Sequence, residues 1–261
     1  MRLLILTFFI AFTVPLNAAL MIAPTQLIFD DADRMKEVVL INTSDSPKSY
    51  RLGFTDKIQL SNGQYQNLED GKVSEHSASE YLRFTPRQVR LLPGERQVVR
   101  VMKRNVTALP QGDYRSHLNF SVLPERSLDA IDEPVNGVRM QITALISYSI
   151  PVVFGIGQNN SAFEIQSYNI INNDKTSTVT VDISKQGDFG IMGRLEIWKN
   201  NSTGSPLRIG TLNGANIFRE TDQIRYAIKT NQSIQPEDDL TIKFVDTSTR
   251  KIVDEKFIDK G

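Results

Sequence analysis

The sequence predicts an all-β protein built from two sandwich domains, and three observations carry this reading. Short segments that alternate apolar with polar residues, or run through β-branched ones, recur between turn signals along the whole chain. No segment of convincing length keeps a helical period. At residues 155–161, "GIGQNNS", glycines and small polar residues concentrate between two such sets of strands, the composition of a linker.

The first set comprises "LMIAPTQLIF" (20–29), "KEVVLIN" (36–42), "KSYRLGF" (48–54), "YLRFTPRQVRLL", "RQVVRVMK" and "DYRSHLNFSVL" (113–123). Pro93-Gly94 joins two of these, a pairing that turns the backbone tightly because proline presets φ and glycine tolerates positive φ. A polar loop, "PERSLDAIDEPVNG" (124–137), then leads into the last strand of this part. The second set comprises "AFEIQSYNII", "STVTVDIS", "GRLEIWKN", "PLRIGTLNG", "QIRYAIK", "DLTIKFVD" and "KIVDEKFID". Seven or so short strands at intervals of about 8–14 residues fit a sandwich in each half. The expected division is a domain at 19–154, the linker at 155–161 and a second domain at 162–261.

Residues 1–18 read as a cleaved signal peptide: Arg2, then the apolar run "LLILTFFIAFTV", then Pro15 and "LNAA" ending in small residues. The mature chain is expected to begin near Ala19. No later stretch approaches the ~20 apolar residues of a spanning helix, so no membrane insertion is expected after cleavage. Thirty basic residues balance thirty acidic ones without a long run of either sign, which gives no footprint for a nucleic-acid partner. Cysteine is absent, which excludes thiol catalysis and zinc–thiolate sites and leaves stability to the apolar cores.

Nothing points to an enzyme. The two histidines, His76 and His117, do not sit at metal-ligand spacing, and no HExxH, G-x-S-x-G or Walker-type loop is present. The adjacent acids Asp30-Asp31 and Asp238-Asp239 read as solvated loop charges. No catalytic residue, cofactor or metal is therefore expected.

One stretch asks for more than a fold. In "VRMQITALISYSIPVVFG" (138–155), Val138, Met140, Ile142, Ala144, Ile146, Tyr148 and Ile150 alternate onto one face. From Val138 to Ile150 such a strand spans roughly 40 Å at about 3.3 Å per residue, whereas an ordinary strand covers about 17–20 Å. Either all seven side chains fill this domain's own core, or part of the row overhangs it.

In order along the chain, "PTQLIFDD", "VLINTSDSPKSYRL", "RLLPGERQVVRV", "LPQGDYRSHLNFSVLP" and the alternating strand before "IPVVFG" resemble the periplasmic chaperones of chaperone–usher pili, the PapD-like family. The resemblance covers the first domain; in the second, "KQGDFGIMGRLEIW" and "GTLNGANIF" are its fainter pieces. It implies two immunoglobulin-like sandwiches in a boomerang arrangement. It also implies a periplasmic chaperone that binds and folds secreted pilus or fimbrial subunits and delivers them to an outer-membrane usher. By this resemblance the donated edge-strand residues are Val138, Met140, Ile142 and Ala144, with Ile146 nearer the protein's own core. The side chains add to a subunit that lacks a strand, main-chain hydrogen bonds giving affinity and pockets giving specificity.

The family usually holds the subunit's terminal carboxylate with an arginine and a lysine in the cleft, positions that align here with Gln26 and Ser149. The site then survives in neutral form, draws its charge from Arg100 or Arg115, or belongs to a chaperone-like protein with an altered client. Asp113 falls where the family often carries an acid in the interdomain contact. The loop before the donor row is long, yet the cysteine pair of many long-loop members is absent. A strand-exchanging structural or adhesive fibre subunit is the competing reading; a donor lying mid-chain rather than at the N-terminus counts against it. A secreted carbohydrate-active enzyme has little support from one tryptophan, Trp198.

Overall fold

The computed structural model describes residues 19–69, 72–124, 146–200 and 204–258. The expected signal segment and the donor positions Val138, Met140, Ile142 and Ala144 lie outside the described residues. The first part of the chain forms β1 (Leu20–Ala23), β2 (Leu27–Phe29), β3 (Met35–Asn42), β4 (Lys48–Thr55), β5 (Lys57–Gln59), β6 (Tyr65–Asn67), β7 (Leu82–Thr85), β8 (Gln88–Leu91), β9 (Arg96–Lys103), β10 (Gly112–Leu123) and β11 (Tyr148–Ile156). The second forms β12 (Ala162–Asn172), β13 (Ser177–Gln186), β14 (Gly193–Lys199), β15 (Leu207–Asn213), β16 (Gln223–Lys229), β17 (Leu240–Asp246) and β18 (Ile252–Ile258).

These strands make two sandwiches. In the first, a sheet of order β1-β3-β9-β7 faces one of order β2-β11-β10-β4-β8. The chain's opening segment serves both sheets, because β1 pairs antiparallel with β3 while β2 pairs parallel with β11. In the second, a sheet of order β12-β13-β16 faces one of order β15-β14-β17-β18. Both are immunoglobulin-like arrangements, and the first also has a tyrosine corner: the Tyr114 hydroxyl, at the start of β10, donates to the Pro110 carbonyl at 3.1 Å.

Period-2 alternation fills each core. Val38, Leu40, Val99 and Val101 from one sheet meet Tyr50, Leu118, Phe120, Ile150, Val152 and Phe154 from the other, and Tyr114 stacks on Phe154 at 5.3 Å between ring centroids. Val179, Val181 and Ile183 meet Leu195, Ile197, Ile242 and Phe244 in the second sandwich. Burial of such a side chain contributes about 1.5–3 kcal/mol, so two cores of this kind hold the fold without disulfides. The Pro93-Gly94 turn forms as the sequence predicts, with Gly94 at φ +74° and its N–H donating to the Asn42 carbonyl at 2.8 Å.

Three local expectations need correction. Gly155 and Ile156 finish β11 instead of opening a linker, since Ile156 pairs with Gly112 and Gly155 with Asp113. Ile146 does not turn toward the core; it is 62% exposed, because the β11 ladder with β10 stops at Tyr148. Asp238 is not solvated: it is buried, 2.5 Å from the Lys199 ammonium, and accepts the Gln235 N–H at 2.9 Å.

At the edge of the second sandwich, side chains replace a neighbouring strand. The ladder of β12 is irregular between Ile165 and Ser167. There the Asp254 carboxylate accepts the Ile165 N–H at 2.7 Å, and the Lys256 ammonium donates to the carbonyls of Ile165 at 3.3 Å and Gln166 at 2.8 Å.

Candidate functional site

The outward face of the sheet that holds β10 and β11 is the candidate site. The residues alternating with the core row of β10 are Arg115, His117 and Asn119, and the register sets them opposite Val153, Pro151 and Ser149 of β11. Two of these polar residues are nonetheless buried, Arg115 at 8% and His117 at 3% exposure. What covers them is the β5–β6 hairpin on one side and the second sandwich on the other.

The hairpin was not legible in the sequence as an element. Its strands have three residues each, with Lys57 paired to Asn67 and Gln59 to Tyr65. Alternation places Lys57 and Gln59 on one face. Lys57 Nζ donates to the Ser149 hydroxyl at 2.6 Å. The Tyr65 ring meets the His117 ring edge-on at 5.5 Å and the Phe218 ring at 6.0 Å. Gly63 lets the hairpin tip approach β16 closely, because a Cβ there would stand 2.4 Å from the Tyr226 ring.

Arg115 binds the two sandwiches together. It is ion-paired with Glu220, donates to the Lys57 carbonyl at 2.7 Å, and lies 3.9 Å above the Phe218 ring centroid. Its Nη1 contacts His117 Nε2 at 3.4 Å. Arginine can only donate, so Nε2 accepts and the imidazole proton resides on Nδ1. That Nδ1–H is buried and has no partner among the described residues. Burial first, then the Arg115 and Lys57 charges, push the His117 pKa down to about 3, so the ring is neutral. Burial and Arg115 also lower the pKa of Lys57.

Asp113 closes the elbow. Its carboxylate accepts the Gly190 N–H at 2.6 Å, and its own N–H donates to the Asp188 carbonyl at 3.0 Å. Burial pushes its pKa up to about 6, against the opposing pull of the Gly190 bond and of Arg219 and Lys185. An apolar cluster of Val153, Met192, Phe218 and Ile28 fills the space beside it. The expected interdomain role of Asp113 is thus realised as a backbone clasp.

Of the candidate anchor positions, Ser149 lies in the site and Gln26 immediately precedes β2, half-buried. Arg100 is elsewhere: it is on β9, in the opposite sheet, exposed and paired with Glu37 at 2.9 Å. Arg115 is at hand but its charge is committed to Glu220. The cation that the sequence reading missed is Lys57. No ion pair among the described residues engages it, and an ammonium with one bond to a hydroxyl keeps two N–H donors free. The arrangement is suited to an anionic oxygen: a half-buried ammonium, a hydroxyl that can turn to donate, and a neighbouring imidazole N–H without an acceptor among the described residues.

No protein-family model matches the chain, and no curated protein matches its sequence. Solved structures do. One, from a study of a chaperone–tip adhesin complex in CFA/I fimbriae biogenesis, is 14% identical with a TM-score of 0.48, covering 92% of this chain and 98% of that one. The CsuC–CsuE chaperone–tip adhesion subunit complex of Acinetobacter baumannii pili gives 16% identity and a TM-score of 0.46 over 93% and 99%. The Salmonella enterica SafA pilin in complex with the SafB chaperone gives 9% and 0.46 over 94% and 98%.

Proposed function

We propose that the protein is a periplasmic assembly chaperone of the chaperone–usher kind. It captures secreted pilus or fimbrial subunits on the alternating row Val138, Met140, Ile142 and Ala144, and passes them to an outer-membrane usher. Lys57, with Ser149 and Gln26, takes the subunit's terminal carboxylate. The role is binding and delivery, without turnover of a substrate. The observation that carries this reading is the Lys57 ammonium, bonded to the Ser149 hydroxyl and in no ion pair among the described residues, at the start of the strand into which the alternating row leads. Two facts agree with it. β10 runs to Leu123, three residues past Phe120, the partner of Tyr148, where β11 begins. Ile146, just ahead of β11, shows its apolar side chain to solvent. The family-like stretches of the first domain and the signal-like leader support the compartment and the kind of client.

Ile142→Asp is expected to abolish copurification with subunits encoded beside this gene while leaving thermal melting within a degree or two of wild type. A donor position in solvent tolerates charge, whereas a core position would lose several kcal/mol to an unpaired buried carboxylate. Collapse of the folded state in this variant would return the row to the protein's own core and defeat the proposal.

A further inference from the structure

Gln59 is 6% exposed, and both its backbone and its amide reach across the boundary between the sandwiches. Its N–H donates to Glu220 Oε1 at 3.1 Å and its carbonyl accepts the Thr221 hydroxyl at 3.4 Å. The side-chain NH₂ donates to the Asn216 carbonyl at 2.7 Å and contacts the Tyr226 hydroxyl at 3.4 Å, while Oε1 accepts the Phe218 N–H at 3.0 Å. All five partners belong to the second sandwich. Two residues earlier, on the same face of the hairpin, is Lys57. The carboxylate oxygen of Glu220 that receives the Gln59 N–H also receives Arg115 Nη2, which in turn holds the Lys57 carbonyl.

The main chain that follows Lys57 is therefore held by the segment 216–221 of the other sandwich, directly at Gln59 and through the Glu220–Arg115 pair at the Lys57 carbonyl. We propose that Gln59 is a positioning residue: it makes capture of a carboxylate at Lys57 depend on the docking of the second sandwich against the first. The proposal rests on the reading of Lys57 as the carboxylate anchor. By linkage, an occupied anchor tightens the docking by the same factor that docking tightens the anchor.

The test uses the full mature chain and two synthetic probes, a heptapeptide of alternating valine and threonine with a free C-terminal carboxylate and the same peptide as its C-terminal amide. Wild type should prefer the acid about tenfold or more, the scale of a hydrogen bond to a charged group. Lys57→Met should bring that preference to near unity. Gln59→Met, which keeps length and volume but no polar atoms, should do the same while amide-peptide affinity stays within about twofold. In that variant the 13C-dimethylated Lys57 resonance should titrate closer to an ordinary lysine. Gln59→Asn, one methylene short, should fall between and decides the matter if Gln59→Met does not fold. An unchanged acid preference and Lys57 titration in the Gln59 variants would overturn the positioning role and leave the anchor standing, even if melting is earlier. An unchanged preference in Lys57→Met would overturn both.

Discussion

Arg115→Met is expected to lower the free energy of unfolding by about 3–5 kcal/mol, the cost of breaking a buried ion pair by removing one partner. Arg115 is 8% exposed, and its guanidinium serves Glu220, the Lys57 carbonyl and the Phe218 ring at once. Methionine replaces the apolar stem but none of these contacts, so the Glu220 carboxylate is left half-buried opposite a thioether and the Lys57 carbonyl loses a donor. Glu220→Gln on its own keeps an acceptor for the Gln59 N–H and should cost less. Combined with Arg115→Met it should recover a good part of the loss, because the unpaired charge is what makes the single variant expensive. Urea unfolding of the four proteins in a double-mutant cycle measures this coupling. A loss below about 1 kcal/mol for Arg115→Met, the worth of an exposed pair, would show that the cleft admits water freely.

The second large effect is a cancellation. His117 has a folded pKa of about 3 against an ordinary 6.5, so folding expels a proton between those values, and the stability present above pH 6.5 is lost as the pH falls toward 3. Asp113 is shifted the other way, to about 6 from 3.8, so folding takes up a proton in that window. Its contribution is fully present below pH 3.8 and is lost as the pH rises through about 6. At about 1.4 kcal/mol per pKa unit, the two effects are of order 5 and 3 kcal/mol and run against each other between pH 6 and 4. Wild-type stability should stay nearly level there and fall below pH 4. Asp113→Asn should lose stability steadily from pH 6.5 downward, and His117→Asn should gain it between pH 6 and 4. Urea midpoints taken at half-unit steps in pH check the three profiles. Parallel curves for wild type and both variants would show that neither group titrates out of the ordinary.

Most of the framework was legible because it obeys a period. "RQVVRVMK" is β9 residue for residue, "QIRYAIK" is β16, and "DYRSHLNFSVL" differs from β10 only by Gly112. The site was legible in part. Asp113 and Ser149 are strand residues whose facing follows from alternation with a recognisable core row. Lys57 was not, since β5 and β6 are too short to show any period and matter only after the chain folds them over β10. Arg100 and Arg115 have the right charge, but a sequence does not say which arginine already has a carboxylate partner. Glu37 and Glu220 answer that only in three dimensions.

The side chains of Asp254 and Lys256 that occupy the backbone of β12 around its irregularity bear on what this sheet margin can join. An open sheet margin invites any extended chain, including another copy of the same protein, to join it. Here the Ile165 N–H and the Ile165 and Gln166 carbonyls are already bonded within the molecule, and a guest strand would have to evict two charged side chains to reach them. Strand addition is thereby steered away from this part of the second sandwich, which disfavours self-association of the protein through β12.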